Sequence, residues 1–77
     1  MNNLEHIGAA IKRDLPDAQV NIEDLSGAGD HLKVSVISKC FAGLSKIQQH
    51  QLIYASLKEE LNNESIHALA LNTSTPN

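Results

Sequence analysis

The sequence predicts an α+β protein in two layers, with helices covering one face of a three-stranded mixed sheet. Apolar residues follow a helical period at the N-terminus and a period of two in the next two segments. A second helical segment separates these strands from a largely apolar stretch near the C-terminus. The expected order is α-β-β-α-α-β. Because a helical crossover joins parallel strands, we expect the second strand at the centre, antiparallel to the first and parallel to the third.

The N-terminal segment is typical of an amphipathic helix. Its apolar residues recur at helical spacing: Leu4, Ile7, Ile11 and Leu15. Asn2 or Asn3 is suited to cap the helix, because a side-chain oxygen can accept a hydrogen bond from the first turn. Pro16 lacks a backbone N–H, and we therefore expect the helix to end near Leu15.

Two alternating segments follow, at residues 18–25 and 31–38. Apolar residues occupy every second position in both segments: Val20 and Ile22, then Leu32, Val34 and Val36. Residues 26–30 between them contain two glycines and predict a loop. We therefore expect the two segments to form an antiparallel hairpin.

The C-terminal half predicts a helix and a buried strand. Ser45 and Gln48 have the spacing of a capping box, which marks the helix start. The stripe expected to face the core is Ile47, His50, Ile53, Tyr54, Leu57 and Leu61, and polar residues 62–65 end the helix. Residues 66–71 are apolar apart from one histidine and predict the third strand. We expect one domain over residues 1–77, with a polar tail at residues 73–77.

Composition and charge exclude several classes of protein. The net charge is −3 with histidine neutral, a sign that disfavours a general nucleic-acid binder. A single cysteine cannot form an intramolecular disulfide and is typical of a reducing compartment. No apolar stretch approaches the ~20 residues that span a bilayer. The sequence therefore predicts a soluble, cytoplasmic protein that does not enter a membrane.

Two histidines stand at the starts of the second and third predicted strands. Neighbouring parallel strands lie roughly 4.8 Å apart, so His31 and His67 could converge on one metal ion or cluster. Two imidazoles cannot complete a tetrahedral site, and a partner would have to supply the remaining ligands. From residue types alone, ordinary exposed or capping histidines are the simpler alternative.

The other notable side chains have structural interpretations. We expect His50 to be a half-buried, hydrogen-bonded core residue and His6 to be solvated on the first helix. Cys40 has no motif of a nucleophile around it, which favours a structural thiol. Phe41 is expected to be a core anchor. The acidic pairs are interpreted as solvated carboxylates: Asp14 with Asp17, and Glu59 with Glu60.

Signatures of catalysis are missing from the sequence. It contains no phosphate-binding glycine loop, no nucleophile elbow and no CxxC motif. The sequence therefore predicts a binding protein and not an enzyme.

Four motifs give the chain a family resemblance. They are GDHLKVSV at residues 29–36, FAGLS at 41–45, HQLIY at 50–54 and IHALAL at 66–71. Together with the order of elements, they resemble the BolA-like proteins. Each motif is modest alone, but four in order at matching spacing are specific, and the resemblance covers almost the whole chain.

The resemblance implies a fold similar to the type II KH domain and no enzymatic activity. Such proteins pair with monothiol glutaredoxins of the CGFS type and share a glutathione-dependent 2Fe–2S cluster with them, in iron–sulfur trafficking or iron regulation. The family's C-terminal cluster ligand falls on His67. Its second ligand lies in the loop between the first two strands, where His31 is the candidate in this chain. Whether the free chain forms a homodimer is left open.

The resemblance also implies an alternative, because some members are described as DNA-binding regulators. In this chain the segment from Lys39 to Lys46 would supply the cations. Many relatives have Arg-His-Arg where this chain has Gln49-His50-Gln51, a loss of two charges that weakens this alternative. The GxxG loop with which KH domains clamp RNA is also absent from the sequence.

Overall fold

The computed structural model describes residues 3–27, 31–62, 66 and 68–76. The helices are α1 (Asn3–Asp14), a 3₁₀ helix (Lys39–Phe41), α2 (Lys46–Ser56) and α3 (Lys58–Asn62). The strands are β1 (Gln19–Asp24), β2 (His31–Ile37) and β3 (Ala68–Ser74). This confirms the predicted α+β class and the order of elements. Of the two predicted capping residues, Asn3 is the first residue of α1 and Asn2 lies outside the described residues.

The sheet has the predicted topology. Its strand order is β1-β2-β3, with β2 antiparallel to β1 and parallel to β3. The antiparallel register sets Val20 opposite Val36 and Ile22 opposite Val34, and the parallel register sets Val34 opposite Leu71. Alternate residues of β2 are buried, so the inner face of the sheet lies against the helices and the outer face is open.

The core lies between the sheet and the helices. Its fully buried residues include Ile11 of α1, Val34 of β2, Phe41 and Ile53 of α2, each 0% exposed. The predicted role of Phe41 as a core anchor is therefore confirmed. Gly43 follows with a φ of 80°, a left-handed conformation that favours glycine where the chain turns towards α2.

The orientation of α2 differs from the predicted one. The capping box is confirmed, since Gln48 N donates to Ser45 Oγ at 3.1 Å and Ser45 N donates to Gln48 Oε1 at 3.0 Å. The predicted apolar stripe is confirmed at Ile53 and Leu57, each 0% exposed, and wrong at Ile47 and Tyr54, which are 71% and 44% exposed. The helix also buries the polar residues Gln49 and Ser56.

A buried hydrogen-bond network around Gln49 explains this orientation. Thr73 Oγ1 donates to Gln49 Oε1 at 2.7 Å, and Gln49 Nε2 donates to the carbonyl of Leu44 at 3.0 Å. Both ends of the amide are thus satisfied inside the protein, which removes the penalty for burying it. The predicted polar tail at residues 73–77 begins too early, because β3 continues through Ser74 and Thr73 is only 1% exposed. Asn77 lies outside the described residues.

Candidate functional site

The candidate site lies where β2 and β3 begin. His31 is the first residue of β2, its side chain is exposed, and its carbonyl accepts a hydrogen bond from Leu25 N at 2.8 Å. In the parallel register His31 is opposite Ala68, the first residue of β3. The predicted meeting of the two strand starts is therefore confirmed, with Ala68 in the register position that the prediction gave to His67.

The second predicted ligand, His67, lies outside the described residues. Its two chain neighbours are described. Ile66 is 4% exposed and donates its backbone N–H to the carbonyl of Glu60 at 3.3 Å, and Ala68 pairs with His31. Chain position 67 is therefore one residue from the register partner of His31, while its role as a ligand stays a prediction.

An open cavity adjoins this edge of the sheet. Its volume is about 530 Å³, and its lining includes His31, Leu25, Leu32, Ala68 and Leu69. The lining is mostly apolar and contains one imidazole ring. A mostly apolar surface with a single polar group is typical of a site that binds another molecule. Within the described part of the chain, no group of three or more histidine, cysteine or acidic side chains could hold a metal ion.

Cys40 does not belong to this site. Ile37, at the far end of β2, is six positions along the strand from His31, about 20 Å at the usual rise, and Cys40 follows that far end. The thiol is exposed, and its interpretation as a structural thiol and not a nucleophile stays a prediction. The Sγ atom lies 3.9 Å from Asp17 Oδ1, the outer limit of a hydrogen bond from sulfur.

Asp17 is exposed, as its interpretation as a solvated carboxylate predicts, and it also connects two segments at the end of β2. Asp17 Oδ2 accepts a hydrogen bond from Lys39 N at 2.7 Å, and Asp17 Oδ1 accepts one from Ser38 Oγ at 2.7 Å. These contacts join the α1–β1 connection to the 3₁₀ helix. The hydrogen bond from the Lys39 backbone, followed by that from Ser38, lowers the pKa of Asp17 below its ordinary value of 3.8.

The lowered pKa of Asp17 predicts part of the acid sensitivity of the fold. The folded state favours the carboxylate, so the stabilisation is fully present above the ordinary pKa of 3.8 and is lost as the pH falls through the folded pKa. Asp17→Asn should lower the urea midpoint at pH 6, and its difference from wild type should shrink towards pH 2. A constant difference across this range would contradict the role given to the Asp17 carboxylate.

His6 is exposed on α1, as predicted, and pairs with Glu60, whose burial contradicts its interpretation as a solvated carboxylate. The Nε2 atom of His6 lies 2.7 Å from Glu60 Oε1, and the side chains are 59% and 8% exposed respectively. The ring can donate to the carboxylate in its protonated form or as the neutral Nε2–H tautomer. Glu60 also accepts the N–H of Ile66 through its backbone, and so this pair links α1 to the segment that precedes β3.

Removing the ring of His6 should destabilise the fold, because Glu60 would lose the donor to its buried carboxylate. We expect His6→Ala to lower the free energy of unfolding by about 1–3 kcal/mol in urea denaturation at pH 7. His6→Gln retains a side-chain N–H and serves as the matched control, with a smaller loss. Equal losses in the two variants would show that the hydrogen bond to Glu60 contributes little.

The nucleic-acid alternative depends on two lysines. Lys39 is the first residue of the 3₁₀ helix, and Lys46 is the first residue of α2. The amine of Lys46 donates to the carbonyl of Thr73. The charge of Lys39 lies near Asp17 and contributes to lowering its pKa. Position 49 is 6% exposed, so the glutamine there faces the core, and a charge at this position would not face a ligand. His50 is half-buried, as predicted.

No helix in the described ranges is long and apolar enough to cross a membrane.

Sequence comparison places the chain among known proteins. The profile of the family described as "BolA-like protein" matches residues 3–77. "BolA-like protein 1" of Homo sapiens is 46% identical over 50 residues, which cover 65% of this chain and 36% of the human protein. The "DNA-binding transcriptional regulator BolA" of Haemophilus influenzae is 50% identical over 50 residues, which cover 65% of this chain and 48% of that protein. The match thus spans less than half the length of these two relatives.

Structural comparison agrees over nearly the full chain. BolA1 from Arabidopsis thaliana superposes with a TM-score of 0.88 at 30% identity, covering 99% of this chain and 94% of that one. The BolA domain of SufE1 from the same plant gives a TM-score of 0.83 at 28% identity, covering 94% of this chain and 90% of that one. The chain belongs to the BolA-like protein family.

Proposed function

We propose that this chain is a non-enzymatic adaptor that binds a monothiol glutaredoxin of the CGFS type. The two proteins and glutathione would share a 2Fe–2S cluster, for iron–sulfur trafficking or iron regulation. The observation that supports this most is the pairing of His31 with Ala68, because Ala68 directly follows position 67 in the sequence of this BolA-like protein.

Two imidazoles from this chain would make up half of a cluster's ligand set. His67 and His31 would ligate one iron, and the thiolates of the glutaredoxin and of glutathione would ligate the other. Cys40, the chain's single cysteine, follows the far end of β2, which is why the thiolates are assigned to the partner. Imidazole ligands raise the reduction potential of a 2Fe–2S cluster relative to four thiolates. The mostly apolar cavity beside His31 gives the partner a surface to cover.

Reconstitution tests the proposal. The chain is mixed anaerobically with a CGFS glutaredoxin, glutathione, ferrous iron and sulfide, and the products are separated by size. We expect a one-to-one complex whose visible absorption and circular dichroism differ from those of the glutaredoxin alone, with a higher reduction potential. Cys40→Ser should give the same complex. If no complex forms, or if its spectrum is that of the glutaredoxin alone, the proposed function is wrong.

Duplex DNA binding through Lys39 and Lys46 is a second candidate. One relative carries "DNA-binding transcriptional regulator" in its name, and residues 31–58 of this chain contain four lysines and no carboxylate. Binding that depends on phosphate contacts falls steeply as salt is added. Titration of a labelled 20–30 base-pair duplex at two salt concentrations tests this. Absence of binding at about 50 mM salt, or binding that is indifferent to Lys39→Ala, would remove this candidate.

A further inference from the structure

Strand β1 has an open edge. In the described sheet it pairs with β2 on one side only, because the strand order is β1-β2-β3. In the same register, the N–H of Leu25 donates to the carbonyl of His31 at 2.8 Å, which identifies a hydrogen-bonded antiparallel pair. Hydrogen-bonded pairs alternate along the strands, so the backbone groups of Val20 and Ile22 point away from β2. The open side of β1 therefore presents a row of backbone donors and acceptors.

The opposite edge of the sheet is covered by a side chain. The carbonyl of Ser74 in β3 accepts the N–H of Ser38, which follows β2, so the preceding carbonyl, that of Thr73, faces the outer side of β3. This carbonyl accepts the amine of Lys46. Lysine and proline are residues with which proteins prevent further pairing at an edge strand. Residues 17–32, which include β1, contain no lysine, arginine or proline.

An open groove lies beside this edge. Its volume is about 410 Å³, and it is lined by Val20 and Ile22 of β1 and by residues of α1 that include Leu4, Gly8 and Lys12. The two β1 side chains are half-buried, whereas their register partners on β2 are 0% exposed. Alternate residues of a strand share a face, so a strand added to β1 would bring its own inward side chains to this groove. The edge therefore offers an added strand apolar contact as well as hydrogen bonds.

The sequence of β1 complements itself. Antiparallel strands form hydrogen bonds only where outward-facing backbone groups are opposite each other, and a two-fold axis at Asn21 achieves this by pairing Val20 of each copy with Ile22 of the other. The same register sets Gln19 opposite Glu23, so an amide donor meets a carboxylate. The two Asn21 side chains meet at the axis, where each amide can both donate and accept.

The neighbouring registers match less well. An axis at Ile22 would set Asp24 opposite Val20, an acid against an apolar side chain on the inner face of the sheet. An axis at Val20 would set Ile22 opposite Ala18, which precedes the strand. The axis at Asn21 is therefore the one that pairs apolar residues with each other inside β1.

The charges beside the groove favour a second copy as the occupant. Glu5 and Lys12 both line the groove, one in the first turn of α1 and the other in its last turn. A two-fold axis reverses the direction of the partner's helix, so the cation of each copy lies on the side of the acid of the other. An unrelated strand would have to supply apolar side chains in register and a donor opposite Glu23. A second copy supplies both, and symmetry makes each contact twice.

We propose that two copies of this chain pair through β1, antiparallel about Asn21, and join their two three-stranded sheets into one. The pairing uses no histidine, so it does not depend on the proposed cluster. One short strand from each copy makes a small interface. We therefore expect a weak dimer that forms at high micromolar concentration and dissociates on dilution.

Hydrogen exchange of alternate amides tests the pairing. The N–H groups of Val20 and Ile22 become hydrogen-bonded only in the dimer, whereas those of Asn21 and Glu23 already face β2. We expect exchange at positions 20 and 22 to slow as the protein concentration rises, with a much smaller change at positions 21 and 23. In a mixture of ¹³C-labelled and unlabelled chains, a nuclear Overhauser effect should join the Hα atoms of the two Asn21 residues, because opposite Cα atoms of a non-hydrogen-bonded pair lie about 4.5 Å apart.

Charges at position 21 test the two-fold axis. Asn21 is exposed, and Asn21→Lys sets two lysines opposite each other, so we expect the Kd of the dimer to rise roughly fivefold in sedimentation equilibrium. Asn72→Lys is the matched control, because it adds the same charge at an exposed position of β3, the other edge strand, and should change the Kd less than about twofold. Asn21→Asp should also weaken the dimer. An equal mixture of Asn21→Lys and Asn21→Asp should restore it, because opposite charges then meet at the axis.

Each of three results would contradict the proposal. One is a chain that stays monomeric at millimolar concentration, including a chain whose amides at positions 20 and 22 become protected only when a glutaredoxin is added, which would assign the edge to that partner. Another is a dimer that Asn72→Lys weakens as much as Asn21→Lys does. The last is a mixture of the two position-21 variants that associates no better than either variant alone.

Discussion

Replacing His67 with alanine is expected to abolish the mixed cluster in the complex with a CGFS glutaredoxin. Under the proposed function, His67 supplies one of two imidazole ligands, and its loss leaves one iron with a vacant position. Residues that only orient a ligand change metal affinity by roughly 10–100-fold, so loss of a ligand should weaken the complex by more than about tenfold. The visible spectrum should revert to that of the glutaredoxin with glutathione.

His6→Gln is the matched control for this experiment. It also removes an imidazole, but from α1, and it retains a donor for Glu60. Its complex should have the wild-type spectrum and stability. If His67→Ala behaves like His6→Gln, His67 is not a ligand, even if the two proteins still associate.

Replacing Phe41 with alanine is expected to remove a large part of the stability of the fold. The side chain is 0% exposed, and truncating a buried phenylalanine costs about 3–5 kcal/mol. A domain of this size has a free energy of unfolding of roughly 4–12 kcal/mol at 0.05–0.15 kcal/mol per residue. Urea denaturation followed by circular dichroism should show a large fall in the midpoint.

Ile47→Ala is the control for the loss of an apolar side chain. Ile47 is 71% exposed, so we expect a change within about 0.5 kcal/mol. A Phe41→Ala variant as stable as Ile47→Ala would show that the core does not depend on this ring.

The elements and topology of this fold could be predicted because their signals are local. Alternation through Val34 and Val36 indicates a strand whatever lies around it, and the helical crossover makes β2 parallel to β3. The same reasoning brought the start of β2 at His31 next to the start of β3. The role of His67 stays a prediction, because position 67, just before β3, lies outside the described residues.

The differences from prediction come from polar contacts between distant residues. The Gln49–Thr73 bond joins residues 24 positions apart, and it decides which side of α2 faces the core. His6 and Glu60 meet across α1 and α3, and nothing in the pattern of either helix marks the pair. Apolar periodicity assigns such residues to solvent by default. A buried polar partner reverses that assignment, and sequence alone does not show the partner.

The most direct test of the proposed function is pulsed electron paramagnetic resonance of the reduced cluster in the complex. This chain is prepared with ¹⁵N-histidine and the glutaredoxin with natural nitrogen. If histidines of this chain ligate the cluster, the couplings of directly bound nitrogen should change from ¹⁴N to ¹⁵N, and His67→Ala should remove at least one of them. A spectrum unchanged by the label would contradict ligation by this chain and, with it, the shared cluster.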